Sequence, residues 1–131
     1  MKRIRVVAAL VLRDGRVLAQ MRPRHKARGG LWEFPGGKVE PGETDEEALV
    51  RECREELGVQ VRVGPRVWGT VHAYPDLEVE LVVHRAEFEE GAEPSAKDAE
   101  RIEWLPLQEL EKRPFCEADL PLLSLLASGR I

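Results

Sequence analysis

Glu52, Glu55 and Glu56 close the stretch "GGKVEPGETDEEALVRECREELGV", residues Gly36 to Val59. At i, i+3 and i+4 they share one face if the stretch is helical. Carboxylates at this spacing repel one another, and glutamates late in a helix also oppose its macrodipole, so the face calls for a compensating cation. Hard divalent ions take oxygen ligands, and Mg²⁺ is typically held by a few carboxylates together with substrate phosphates. The chemistry such a face suits is metal-assisted attack on a nucleotide. The plain alternative is a solvated acidic face partly neutralised by Arg51 and Arg54.

The elements that must carry this face are written around it. Thr44 followed by Glu47 is a capping-box pattern and Gly58 is a left-handed stop, so a helix is expected from about Asp45 to Leu57. Its apolar face, Leu49, Val50, Cys53 and Leu57, anchors it while the opposite face presents the carboxylates. Upstream, "IRVVAALVL" and "RVLAQMR" flank Asp14-Gly15 and read as two antiparallel strands. Val61 to Ala73 and "LEVELVVHRAEF" read as two further strands, and "RIEWLP" as the last. Pro106 opens a short helix, "PLQELEKR", and "ADLPLLSLLASG" forms a terminal helix stopped by Gly129. Strands on both sides of one strong helix imply an α/β fold with a mixed sheet.

At 131 residues and 43% hydrophobic content the chain suits a single domain with one sizeable core. A net charge of -4 speaks against a general electrostatic grip on DNA or RNA, so no nucleic-acid polymer is expected as partner. The start, "MKRIRVVAALVLRDGR", is broken by charge after a short apolar stretch and reads as a strand rather than a leader or membrane span. A cytoplasmic protein, monomer or homodimer, is expected. Cys53 and Cys116 have no partner at ligand spacing and read as small buried hydrophobes in a reducing compartment.

The order of residues in the acidic stretch resembles the signature of the Nudix hydrolase family: a Gly, five residues, a Glu, seven residues, then Arg-Glu-apolar-any-Glu-Glu-any-Gly-apolar. Gly37, Glu43, Arg51, Glu52, Glu55, Glu56, Gly58 and Val59 fill it, with Cys53 where an aliphatic residue is more usual. The box spans residues 37–59 of a domain covering 1–131, and "LWEFPGGK" before it resembles the MutT branch. The resemblance implies an α/β/α sandwich around a central mixed sheet. It also implies Mg²⁺-dependent (or Mn²⁺-dependent) hydrolysis of a nucleoside triphosphate to the monophosphate and pyrophosphate, a reaction that cleanses the nucleotide pool. By the same resemblance Glu52, Glu55 and Glu56 bind the metal with the carbonyl of Gly36, while Gly37, Glu43, Arg51 and Gly58 are structural. Asp98, six residues before Trp104, is a further metal-binding or catalytic carboxylate, with Glu100 close by. The general base is Glu52, another carboxylate of the face such as Glu55, or Asp98.

For substrate binding the resemblance selects Arg22 toward phosphate, with Arg24 and Lys26 in the same basic loop, while His25 has no evident partner. Glu33, Phe34, Pro35 and Gly36 belong to the segment beside the nucleotide, and Tyr74 matches an aromatic near the base. Asp119 falls where 8-oxoguanine-specific members carry Asn; its other reading is an N-cap for the terminal helix. An ionised Asp only accepts hydrogen bonds, which favours a cytosine amine over the N7–H and O6 edge of 8-oxoguanine. The expected substrate is therefore (d)CTP or a 5-modified relative, with 8-oxo-dGTP as the alternative. A catalytically silent, nucleotide-binding domain is the alternative of another class, disfavoured by the intact Glu52, Glu55 and Glu56.

Overall fold

The computed structural model describes residues 1–131. Eight strands and two α-helices follow the chain: β1 (Arg3–Leu10), β2 (Leu12–Arg13), β3 (Arg16–Met21), β4 (Trp32–Glu33), β5 (Gly36–Lys38), α1 (Asp45–Leu57), β6 (Val61–Ala73), β7 (Glu78–Phe88), β8 (Arg101–Pro106) and α2 (Leu120–Ala127). The central mixed sheet has the order β5-β1-β7-β6, with β1 and β7 parallel and the other neighbours antiparallel. In the second sheet β3 pairs antiparallel with β2, β4 and β8.

The alternation along β1 explains the layering. Val7 and Ala9 point into the core under α1, where Leu49, Cys53 and Leu57 are fully buried. Ala8 and Leu10 point into the opposite core, built with Leu122, Leu123 and Leu126 of α2. A strand buried on both faces belongs inside a covered sheet, and that is where the parallel β1–β7 pairing puts it. Two helices thus sandwich the sheets.

This burial also corrects one expectation. "IRVVAALVL" is not a single strand hairpinned onto "RVLAQMR": Arg3–Leu10 joins the mixed sheet, and only Leu12 and Arg13 pair across the turn. The turn itself is as expected, with positive φ at Asp14 (51°) and Gly15 (74°). "PLQELEKR" forms a 3₁₀ helix, Leu107–Lys112, with Pro106 one position outside it. No helix is long and apolar enough to cross a membrane.

α1 starts and stops where its caps dictate. The Glu47 amide donates to Thr44 Oγ1 (3.1 Å) and the Thr44 amide to Glu47 Oε1 (2.9 Å), while the Gly58 amide donates to the Arg54 carbonyl from a left-handed C-cap. Arg5 of β1 ties the first turn down through Asp45, at 2.8 and 2.6 Å.

Candidate active site

A cleft of about 840 Å³ runs between α1, the Gly36-Gly37 segment, the basic loop after β3 and the start of α2. Glu52, Glu55 and Glu56 line one end with Gly36, Gly37 and Asp98; Phe34, Tyr74 and Asp119 line the other; Arg22, Lys26 and Glu33 lie on the same wall. Pro35, Glu43, Arg51 and Gly58 do not line it. Pro35 is buried, with its carbonyl accepting from the Ala9 amide at 2.8 Å.

At the acidic end the backbone approaches closely. A Cβ on Gly37 would meet only the movable carboxyl end of Glu52, at 2.4 Å, whereas one on Gly36 would fall 2.0 Å from the Val7 carbonyl oxygen, so it is at Gly36 that the close backbone approach requires glycine. Burial raises the Glu52 pKa, against the pull of Arg51. Burial raises Glu56 further, to about 8, helped by the neighbouring Glu52 and Glu33.

Arg51 is the local counter-charge. Its guanidinium grips Glu43 through two hydrogen bonds (2.7 and 2.9 Å), donates to the Lys38 carbonyl (3.0 Å), and also reaches Glu52 (2.8 Å) and Glu55 (3.3 Å). The hydrogen bonds from Arg51 and from the Glu40 amide pull Glu43 down to about 2. Because Glu52 and Glu55 turn to Arg51, and Asp98 to Lys26 at 3.2 Å, the acidic groups do not converge on one point in this conformation. The donor set nevertheless fits a hard cation: Glu56 Oε1 is buried and accepts no hydrogen bond, beside a second half-buried carboxylate.

Three participants escaped sequence reading. Gln20, 2% exposed, donates to Glu33 (3.3 Å) and Glu56 (3.2 Å) and so ties the two ends of the cleft together. A glutamine inside the apolar run "RVLAQM" was the available signal. Lys97 enters the cleft where the loop before β8 caps α1, its amide donating to the Glu56 carbonyl at 3.0 Å. Arg28 lies over the Tyr74 ring at 4.2 Å.

The chain matches the NUDIX domain family over residues 6–125. It belongs to the Nudix hydrolase family. It is 40% identical over 124 residues to the CTP pyrophosphohydrolase of Escherichia coli K12, covering 94% of this chain and 90% of that protein. It is 30% identical to the 8-oxo-dGTP diphosphatase of the same organism, over 96% and 98% of the two chains. Among solved structures, the E. coli ORF135 protein aligns with a TM-score of 0.81 at 38% identity, over 99% of this chain and 92% of that one. Nudix hydrolases act on nucleotide substrates and generally need a divalent metal, which agrees with a cleft that has carboxylates at one end and aromatic, apolar walls at the other.

At the apolar end Phe34 is buried and packs at a tilt on Phe115, ring centroids 5.5 Å apart. Tyr74 is buried, its hydroxyl accepting from the Ala118 amide at 3.0 Å. Asp119 occupies the N-cap position of α2, yet its side chain makes no capping hydrogen bond. Burial, then the proximity of Glu33, raises its pKa well above the usual carboxylate range. Arg22 faces Glu33 (3.0 Å) and the Ala27 carbonyl (2.9 Å).

Proposed function

We propose that this Nudix hydrolase is a Mg²⁺-dependent nucleoside triphosphate pyrophosphohydrolase acting on (d)CTP or a 5-modified cytosine nucleotide. The observation that carries a base contact is Asp119, buried in the cleft wall and free of the capping role that would otherwise explain it; the choice of cytosine rests on the likeness to a CTP pyrophosphohydrolase. Burial and the proximity of Glu33 oppose ionisation of this carboxyl. A neutral carboxyl both donates and accepts, so its carbonyl oxygen takes the cytosine N4 amine while its hydroxyl donates to N3. The 40% identity to a CTP pyrophosphohydrolase supports the same choice. The donor-plus-acceptor edge also suits N7–H and O6 of 8-oxoguanine, and this keeps 8-oxo-dGTP as the second reading.

Glu52, Glu55 and Glu56, with the Gly36 carbonyl and Asp98, would hold Mg²⁺ or Mn²⁺. The bound ion supplies charge neutralisation of the triphosphate and a lowered pKa for the attacking water. Around it the chain's own residues position and accept. Arg22 meets the phosphates by exchanging its contact with Glu33. Water adds to one phosphorus of the α–β anhydride, the bond from that phosphorus to the bridging oxygen breaks with the oxygen leaving on the other phosphate, and the products are the nucleoside monophosphate and pyrophosphate. The water's proton passes to a carboxylate, Glu52 first and Asp98 as the other candidate. Gln20 holds Glu56 by donating its amide, and Arg51 keeps the loop of Glu43 against the helix from outside the cleft. Such an enzyme cleanses the nucleotide pool and works in the cytoplasm. Pyrophosphate release across a panel of canonical and oxidised nucleotides with Mg²⁺ tests the reading; highest kcat/KM on cytosine nucleotides is expected, and turnover of none of them overturns it.

A further inference from the structure

Arg28 has a backbone conformation that needs a reason. Its φ is +58°, in the left-handed region that is disfavoured for a residue with a Cβ, and such outliers persist where the surroundings hold them. The loop holds this one tightly. The amides of Lys26, Gly29 and Leu31 donate to the Pro23, Lys26 and Arg28 carbonyls at 3.1, 3.0 and 3.3 Å. A Cβ on Gly29 would meet the carbonyl oxygens of Arg24 and Pro23 at 2.6 and 2.7 Å, so the turn beside Arg28 closes only around a glycine.

The strained backbone delivers the guanidinium to one place, 4.2 Å over the Tyr74 ring centroid and 3.0 Å from the Asp76 carboxylate. Arg28, Tyr74 and Asp76 all line the apolar end of the cleft with Phe34 and Asp119. One face of the Tyr74 ring is thus covered by Arg28, and His72 packs against the same ring in a T-shaped arrangement with centroids 4.6 Å apart.

We infer that Arg28, braced from behind by Tyr74 and from the side by Asp76, is the platform on which the nucleobase stacks. This rests on the nucleotide hydrolase reading above. Planar guanidinium groups serve as stacking surfaces for bases, and Arg presents such a plane where Lys presents a point charge. Swinging Arg28 aside to bare Tyr74 would forfeit both the cation–π contact and the ion pair, whereas stacking on Arg28 keeps both. Tyr74 acts behind it as a positioning residue.

The test uses the full chain with two variants. Arg28→Gly suits the left-handed backbone and preserves the loop; Arg28→Lys keeps the charge and loses the plane. Both should raise KM for CTP about tenfold with kcat close to wild type, and the inhibition constant of inorganic tripolyphosphate, which has no base, should stay unchanged. Three results overturn the inference: an unchanged or lower KM in Arg28→Gly, which makes Arg28 a plug or a bystander; recovery of the wild-type KM by Lys; or a tripolyphosphate constant that rises in step with KM, which assigns Arg28 to the phosphates. Each leaves wild-type hydrolysis intact, whereas failure of the functional reading appears as a wild-type enzyme that turns over no nucleotide.

Discussion

At the acidic end of the cleft Gly36, Gly37, Glu52, Glu55 and Glu56 all come from one stretch of chain, and its geometry follows from one capped helix and one close backbone approach. At the apolar end Arg28 and Phe34, Tyr74, and Asp119 come from three separate segments that meet only when the core under α2 has formed. The acidic end is held by ion pairs near the surface of α1, the apolar end by burial, and the two are tied through Gln20, which donates to Glu33 and Glu56. On the proposed reading this is a division of labour: most of the reaction chemistry rests on one local motif, joined by Asp98 and Arg22, and choice of base rests on contacts between segments far apart in the chain.

Substitution at the acidic end should break the chemistry without touching base choice. Glu56→Gln keeps size and helix propensity but removes the carboxylate that would bind the ion, and kcat is expected to fall about a hundredfold or more with the substrate ranking preserved. Its melting temperature at neutral pH should rise, because burial and Glu52 already oppose ionisation at this position. Near-normal turnover would reject the assigned site.

Arg51→Leu tests whether the motif is held together from outside the cleft. Loss of the partner for Glu43, Glu52 and Glu55 should lower melting temperature and activity together. Calorimetry beside steady-state rates reads both; full stability with lost activity would move Arg51 into the chemistry.

At the apolar end the expected outcome reverses. Asp119→Leu, which keeps the bulk and removes donor and acceptor together, should leave turnover in place while lowering kcat/KM for cytosine nucleotides about tenfold relative to the rest of the panel. An unchanged ranking across the panel would remove Asp119 from base reading.

The smallest effect concerns Glu43. Its folded pKa of about 2 lies below the ordinary value of 4.5, so it stabilises the fold above 4.5 and that contribution disappears as pH falls toward 2. Glu43→Gln should show a shallower loss of stability in that window, read by thermal melts between pH 5 and 2. Parallel curves for the two proteins would mean that the pair with Arg51 contributes nothing.

What the sequence determined by itself is the part of the protein written in local rules. Thr44, Glu47 and Gly58 bound α1 at Asp45 and Leu57, Asp14-Gly15 set a tight turn, and β6, β7 and β8 begin and end where alternation and turn residues place them. The spacing of Glu52, Glu55 and Glu56 made the acidic face readable because helical geometry alone puts them together. The split of "IRVVAALVL" between two sheets was not readable, since a run apolar on both faces does not say which partner covers it. Nor did the sequence reveal that Asp119 is buried without a capping bond, that Gln20 joins Glu33 to Glu56, or that Arg28 covers Tyr74. Those contacts join residues 13 to 46 positions apart in the chain or follow from burial, and burial is a property of the packed whole.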